Sequence, residues 1–155
     1  NSLIARQNPD LLDDNITARH KLLRKNSSLS EEKEVAQKYL VNICPSDADE
    51  SSTVLLFSKF QREVYVEGDY LWKQGSPSLS IKLLARGVLI SILENEAGTN
   101  ETISAGNTIG ELGVIEGMAR MSSVSCLSEE AIVYSLSLEA YRQLQKSSPK
   151  AARLI

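Results

Sequence analysis

The order of apolar and polar positions changes at about residue 60 of the chain. Beyond it the two kinds of side chain alternate, as in β-strands with one face in a core. Arg62, Val64 and Val66 fall on one face of the first such segment. We predict further strands over residues 70–72, 79–84, 88–93, 101–104, 124–126 and 131–138. Short strands roughly 8 to 12 residues apart, with glycine at the corners, are typical of a sandwich or barrel. Residues 60–138 are therefore predicted to form a small all-β module.

Helical patterns flank these strands on both sides. We predict helices over residues 16–25, 31–43, 53–59, 139–146 and, after Pro149, 151–155, with a break at 26–30. The fold class is therefore mainly β: an antiparallel β-roll or jelly-roll barrel (a double-stranded β-helix) with flanking α-helices. We place the domain at residues 53–155, preceded at 1–52 by a polar segment with one or two helices.

The strand pattern lapses between residues 106 and 124. We predict a short helix over residues 111–116, bounded by glycines and followed by Arg120, Ser122 and Ser123. Amide groups at a helix N-terminus point towards an anion, and an arginine adds a bidentate, charge-assisted contact. This segment is therefore a candidate phosphate cradle.

Glu111 needs a separate explanation, because a carboxylate beside a phosphate repels it. The obvious role is to accept a hydrogen bond from a ribose hydroxyl. An alternative is that Glu111 only caps the short helix. Arg120 also has an alternative, as a surface or structural residue that pairs with Glu116.

The run from Gly110 to Arg120 resembles the phosphate-binding cassette of cyclic-nucleotide-binding domains. That family shows Gly-Glu-Leu-small and then Pro-Arg-small-small-Thr, with the arginine ten residues after the first glycine, as here. Four glycines also fall at the family's corner positions: Gly68, Gly75, Gly87 and Gly106. The resemblance covers residues 53–155, about two thirds of the chain, and implies a β-roll that binds a cyclic nucleotide.

The resemblance also implies roles for individual residues. Glu111 would hold the ribose 2′-hydroxyl, and Arg120 would pair with the cyclic phosphate. Backbone amides around Gly110 would line the pocket, and two serines would lie near the phosphate and base. The implied binding residues are Gly110, Glu111, Leu112, Gly113, Arg120, Met121, Ser122 and Ser123.

The chain departs from the family pattern at several positions. Ala119 replaces the usual proline, and Met121 stands where most members carry a small residue. A hydroxyl there tends to mark guanine preference in the family, so Met121 favours cAMP over cGMP. Met121 is also large enough to obstruct the base or to fill an empty pocket. The long helix that closes the site in the family is expected to be short, missing or beyond Ile155.

Composition narrows the functional classes. A net charge of −3 and a pI of about 5.3 argue against a general nucleic-acid or anionic-membrane surface. No apolar run approaches the roughly 18 residues that span a bilayer. Because the sequence starts at Asn1, we expect it to be part of a longer protein. Cys44 and Cys126 are expected to be reduced, partly buried thiols.

The ingredients of catalysis are not apparent in the sequence. The single histidine, His20, lies before the predicted barrel, so neither a Ser-His-Asp set nor an interior metal site can be assembled. Trp72 is predicted to be a core residue, with a stacking role as the alternative. We therefore predict a module that is not an enzyme and has no metal or resident cofactor, with cAMP as its candidate ligand.

Two functional hypotheses follow. In the first, the module senses cAMP, and less readily cGMP, and shifts the flanking helices of a larger host protein. In the second, it is a degenerate domain that binds no nucleotide and serves as an interaction or regulatory domain of a SulP-type anion transporter. Residues 70–75 and 135–153 resemble the C-terminal domains of such transporters. The expected partners are the cyclic nucleotide and the rest of the host protein. The possibility of a homo-oligomer is left open, and no nucleic-acid partner is expected. The expected location is the cytoplasm, alone or as the cytosolic part of a membrane protein.

Overall fold

The computed structural model describes residues 15–96 and 98–155, with side chains from residue 29 onwards. In this range the helices are α1 (Asn15–Ile43), α2 (Glu50–Ser58), α3 (Glu111–Glu116), α4 (Leu138–Ser147) and α5 (Pro149–Ala152). The strands are β1 (Gln61–Val66), β2 (Tyr70–Trp72), β3 (Ser80–Arg86), β4 (Val88–Ile92), β5 (Asn100–Ser104), β6 (Thr108–Ile109), β7 (Ser123–Cys126) and β8 (Glu130–Ser137).

Two four-stranded antiparallel sheets form the roll, so the predicted fold class is confirmed. The strand order is β1-β8-β3-β6 in the first sheet and β2-β7-β4-β5 in the second. The chain passes from the first sheet to the second between β6 and β7. The candidate phosphate cradle is therefore one of the connections between the two sheets.

Strand β8 is covered on both faces, and all its residues from 131 to 136 are buried. Ala131 and Val133 face the core between the sheets. Ile132 and Leu136 face a second core, which lies between the first sheet and the helices. Because both faces are buried, this strand reads as a continuous apolar run with little alternation.

Helix α1 is fastened to the outer face of the first sheet by packing and by polar contacts. Ala36 and Leu40 are fully buried in the second core. Arg62 Nε donates to Glu32 Oε2 at 2.7 Å, and the Tyr134 hydroxyl donates to the same oxygen at 3.0 Å. The described part of α1 therefore packs as part of the roll.

Two helix predictions were wrong in detail. The break predicted at residues 26–30 is absent, because α1 runs on to Ile43. That segment contains neither Gly nor Pro, and Asn and Ser each cost a helix only a few tenths of a kcal/mol, about 0.7 at most. Helix α2 begins at Glu50, three residues before the predicted start. Asp49 caps it, since its side chain accepts the Ser52 N–H at 3.1 Å.

Two further elements differ from the sequence prediction. The last helix, predicted over residues 151–155, spans Pro149–Ala152. Proline suits the first turn of a helix, because the N–H that it lacks would have no partner there. Strand β6 was not predicted at all, since it has only two residues. It pairs with β3, where Thr108 lies opposite Leu83 and Ile109 opposite Lys82. This pairing makes β6 the edge strand of the first sheet and places the start of the cradle beside the middle of β3.

Candidate functional site

A cavity of about 470 Å³ lies against the cradle. Its walls come from α3, the segment 118–122 and the strands of the second sheet. Of the eight predicted site residues, seven line it: Gly110, Glu111, Leu112, Gly113, Arg120, Met121 and Ser122. The volume lies within the roughly 300 to 1,000 Å³ of ordinary small-molecule sites.

Two glycines let the cradle close tightly. Gly110 precedes α3 with a φ of 81°, and a Cβ there would run into the Arg120 guanidinium and the Trp72 ring. Gly113 faces Ser78, whose hydroxyl donates to the Met118 carbonyl at 2.5 Å. A side chain at either glycine would push these groups away, so close backbone approach explains the residue type.

Arg120 is buried, with 6% of its surface exposed. Its Nη1 donates to the Gly110 carbonyl at 3.0 Å, and its Nη2 donates to the Ser80 carbonyl at 2.6 Å. The guanidinium carbon lies 3.6 Å from the centre of the Trp72 ring. Its Nε is buried and has no hydrogen-bond partner. The alternative of a surface arginine paired with Glu116 is therefore wrong.

The charge of Arg120 is not neutralised by any carboxylate in the described part of the chain. Burial lowers its pKa to about 10, so the guanidinium stays charged at neutral pH. The neighbouring Lys82 differs, because its ammonium is 2.7 Å from Glu63 Oε1 and 3.0 Å from Ser135 Oγ. A buried charge without a counter-ion costs free energy, which a bound anion would recover.

Glu111 lies in the first turn of α3, and its Oε2 is buried without a hydrogen-bond partner. No side chain caps the amides at the start of α3. This oxygen therefore does not take the capping role that the sequence left open. Among the described residues, Glu111 Oε2 and Arg120 Nε are the two buried side-chain polar atoms that have no partner.

Ser122 and Ser123 differ in their surroundings, and only Ser123 belongs to β7. Ser122 lines the cavity, and its hydroxyl is 2.7 Å from the Ser91 hydroxyl. Ser123 is fully buried and is not part of the cavity wall. Its Oγ accepts the Gln74 N–H at 2.9 Å. The structure thus brings Ser122 to the site and leaves Ser123 to hold the loop after β2.

Two apolar side chains stand at the mouth of the cavity. Met121 is 68% exposed and Leu112 is 62% exposed. Met121 therefore does not fill the hollow, which was one of the two outcomes considered for it. Exposed apolar side chains beside a polar cavity are typical of surfaces that contact a ligand or partner.

Trp72 lines the cavity, although the sequence analysis did not include it among the site residues. It packs on the core between the sheets, as predicted, but it also lines the cavity and covers Arg120. The position of Trp72 along its strand did not reveal its contact with the cavity, because β2 pairs with β7 in an irregular register between Tyr70 and Trp72. The available sequence signal for a role of Trp72 in the site was that the chain has a single tryptophan.

Residues outside the cavity add little chemistry. Cys44 and Cys126 are buried free thiols, and burial raises the pKa of both. The described residues include no cluster of His, Cys, Asp and Glu that could hold a metal ion. None of the helices in the described ranges combines the length and apolarity that crossing a membrane requires.

The β-roll thus has a cavity at one of its sheet-to-sheet connections, lined by a buried uncompensated guanidinium and an unpartnered carboxylate. The model of the family "cyclic nucleotide-binding domain" matches residues 62–148, more than half of the chain. The chain therefore belongs to this family, as its glycines and its cassette indicated.

The chain is also similar to a segment of larger proteins. An uncharacterized NTE family protein of Mycobacterium tuberculosis is 25% identical over 104 residues, which is 67% of this chain and 18% of that protein. The chain thus spans about a fifth of the length of the curated relatives it matches.

Solved structures share the fold at low sequence identity. A cyclic nucleotide-binding domain from Methylobacillus flagellatus superposes with a TM-score of 0.67 at 23% identity, covering 79% of this chain and 71% of that one. A mutant regulatory subunit of a cAMP-independent protein kinase A from Trypanosoma brucei, bound to cAMP, superposes with a TM-score of 0.65 at 21% identity. The superposition covers 76% of this chain and 43% of that one.

Proposed function

We propose that this module is a non-enzymatic sensor that binds a 3′,5′-cyclic nucleotide, cAMP in preference to cGMP, on behalf of a larger host protein. One observation carries the proposal. The two buried side-chain atoms without partners, a donor on Arg120 and an acceptor on Glu111, belong to residues that line the same cavity. Unpartnered buried polar groups are costly, so their pairing in one site points to a ligand that satisfies both.

A cyclic nucleotide has the complementary groups. Its phosphate is an anion that accepts hydrogen bonds, which suits the Nε and the uncompensated charge of Arg120. Its ribose keeps one free hydroxyl, which can donate to Glu111 Oε2. The exposed side chains of Leu112 and Met121 offer apolar surface to a base at the mouth. The bulk of Met121 and the engagement of the Ser122 hydroxyl with Ser91 support the preference for cAMP.

The role in the host follows from the same chemistry. The cavity wall contains no histidine or cysteine to act as base or nucleophile, which supports regulation in place of catalysis. The NTE family relatives suggest one kind of host, and a SulP-type transporter is the other. In both, we place the module in the cytosol, where cyclic nucleotides are available.

A second candidate is a module that binds no nucleotide and serves as an interaction domain. The observation that favours it is the engagement of Arg120, which already donates to two backbone carbonyls and stacks on Trp72. In this alternative the arginine is part of the scaffold.

Calorimetric titration with cAMP and cGMP separates the two candidates. We expect saturable micromolar binding of cAMP by the parent chain. Arg120→Ala removes the phosphate contact and should weaken binding by about 2–5 kcal/mol. Arg120→Ala also frees two carbonyls, so Glu111→Ala is the cleaner variant. Its Oε2 has no protein partner to lose and is costly to bury, so binding should weaken while the unfolding midpoint stays the same or rises.

Matched controls are available on the same elements. Glu116→Ala removes an exposed carboxylate from the other end of α3, and Arg62→Ala removes a partly buried arginine that does not line the cavity. Both should leave the affinity unchanged. A binder at a hundredfold excess over its Kd also stabilises the fold by about 2.7 kcal/mol. Neither heat nor a thermal shift at millimolar cAMP and cGMP would reject the sensor and leave the interaction domain.

A further inference from the structure

Trp72 covers one face of the Arg120 guanidinium and has no role in the proposed contacts with the ligand. We propose that Trp72 is a positioning residue: its ring holds Arg120 in the pose that presents Nε to an anion. The inference rests on the proposed function for its effect on binding, but its effect on Arg120 is independent of any ligand.

The first step is the way Trp72 reaches this position. In a regular strand, Leu71 and Trp72 would point to opposite faces. Here both pack against the core between the sheets. The register of β2 against β7 shifts between Tyr70 and Trp72. Such a bulge re-aims a side chain, and it turns the indole into the cavity wall.

The second step is that the indole is itself fixed. Its Nε1 donates to the Ser122 carbonyl at 3.1 Å, so it cannot rotate without losing a hydrogen bond. Gly110 has no Cβ, and a Cβ there would collide with both the indole and the guanidinium. The backbone at Gly110, the indole and Arg120 therefore form a close-packed set.

The third step concerns the guanidinium. The carbonyls of Gly110 and Ser80 fix its position within its plane, at 3.0 and 2.6 Å. The indole, 3.6 Å away, prevents movement out of that plane. The Nε edge is left without a partner. An arginine fixed in this way loses little conformational entropy when an anion binds, which raises affinity without a new contact.

The first measurement uses no ligand. In protein with 15N-labelled arginine, the Arg120 side-chain Nε–H signal should be shifted by the ring current of Trp72 and should show the heteronuclear NOE of a rigid group. Trp72→Leu should abolish the shift and lower the NOE, whereas Trp72→Phe should keep part of both. The control is Tyr70→Leu, which removes an exposed ring that stacks on Lys73, 4.5 Å away, and should change neither. An NOE that is unchanged in Trp72→Leu would overturn the inference.

The second measurement is the cAMP affinity of the same variants by calorimetry. A cation–π contact corresponds to about two- to fivefold in affinity where it is exposed and about thirtyfold where it is desolvated, so for the buried Arg120 we expect a loss of about thirtyfold in Trp72→Leu. Trp72→Phe should recover most of it, and Tyr70→Leu should bind like the parent. Equal losses in Trp72→Leu and Trp72→Phe, or tighter binding by either, would contradict a positioning role. If the parent binds no cAMP, the proposed function fails, and the NMR result alone decides whether Trp72 positions Arg120.

Discussion

Replacing Gly110 by alanine tests the close packing on which the site depends. Gly110 has a φ of 81°, and an added Cβ would meet the Arg120 guanidinium and the Trp72 ring. An L-residue in the left-handed region costs roughly 1–2 kcal/mol. Forcing extra volume into a packed site costs roughly 1–3 kcal/mol more. We therefore expect Gly110→Ala to lower the free energy of unfolding by about 2–5 kcal/mol.

Gly68→Ala is the matched control for this variant. Gly68 has a φ of 87°, but nothing lies within 4 Å of the Cβ it would carry. It therefore suffers the backbone strain alone, about 1–2 kcal/mol. Urea denaturation of both variants gives the difference directly. A difference below about 0.5 kcal/mol would refute the claim that Arg120 and Trp72 are packed rigidly against the backbone at Gly110.

Other predictions concern the pH dependence of the stability and the difference between a core leucine and a leucine at the cavity rim. Burial and the adjacent Glu63 raise the pKa of Tyr65, and burial and Glu32 raise that of Tyr134. Because the folded-state pKa values are raised, the stability they contribute is present below the ordinary pKa of about 10 and is lost as the pH rises above it. Tyr134→Phe lacks this contribution at every pH, so its free energy of unfolding should fall less than that of the parent as the pH rises above about 10 in urea denaturation; an equal fall would contradict this. Leu84→Ala, in the core between the sheets, should cost about 2–5 kcal/mol in urea denaturation, whereas Leu112→Ala, at the exposed rim, should cost less than about 0.5. Similar losses in the two variants would contradict the assignment of Leu112 to the rim.

Much of the fold was predictable because local signals and tertiary structure agree. The corner glycines mark the turns, and the short apolar segments between them mark the strands, although β1, β3 and β8 bury residues on both faces. The cradle was predictable from α3 between Gly110 and Gly117, with Arg120 after it, because short-range geometry dictates this run.

Features that depend on contacts between distant segments were not predictable. Strand β6 exists only because Thr108 and Ile109 pair with β3. The indole of Trp72 reaches Arg120 only because β2 carries a bulge against β7. The family resemblance assigned Ser123 to the site together with Ser122, but Ser123 does not line the cavity and its Oγ accepts the Gln74 N–H. Each of these outcomes depends on strand pairing that periodicity along one segment does not encode.

The emission of the chain's single tryptophan tests the central claim most directly. Trp72 lies 3.6 Å from the Arg120 guanidinium, so an anion that binds there must alter the surroundings of the indole. Titration with cAMP should give a saturable change at micromolar ligand, and Glu111→Ala should move the midpoint to higher concentration. Emission that stays constant up to millimolar cAMP would contradict a nucleotide site at Arg120.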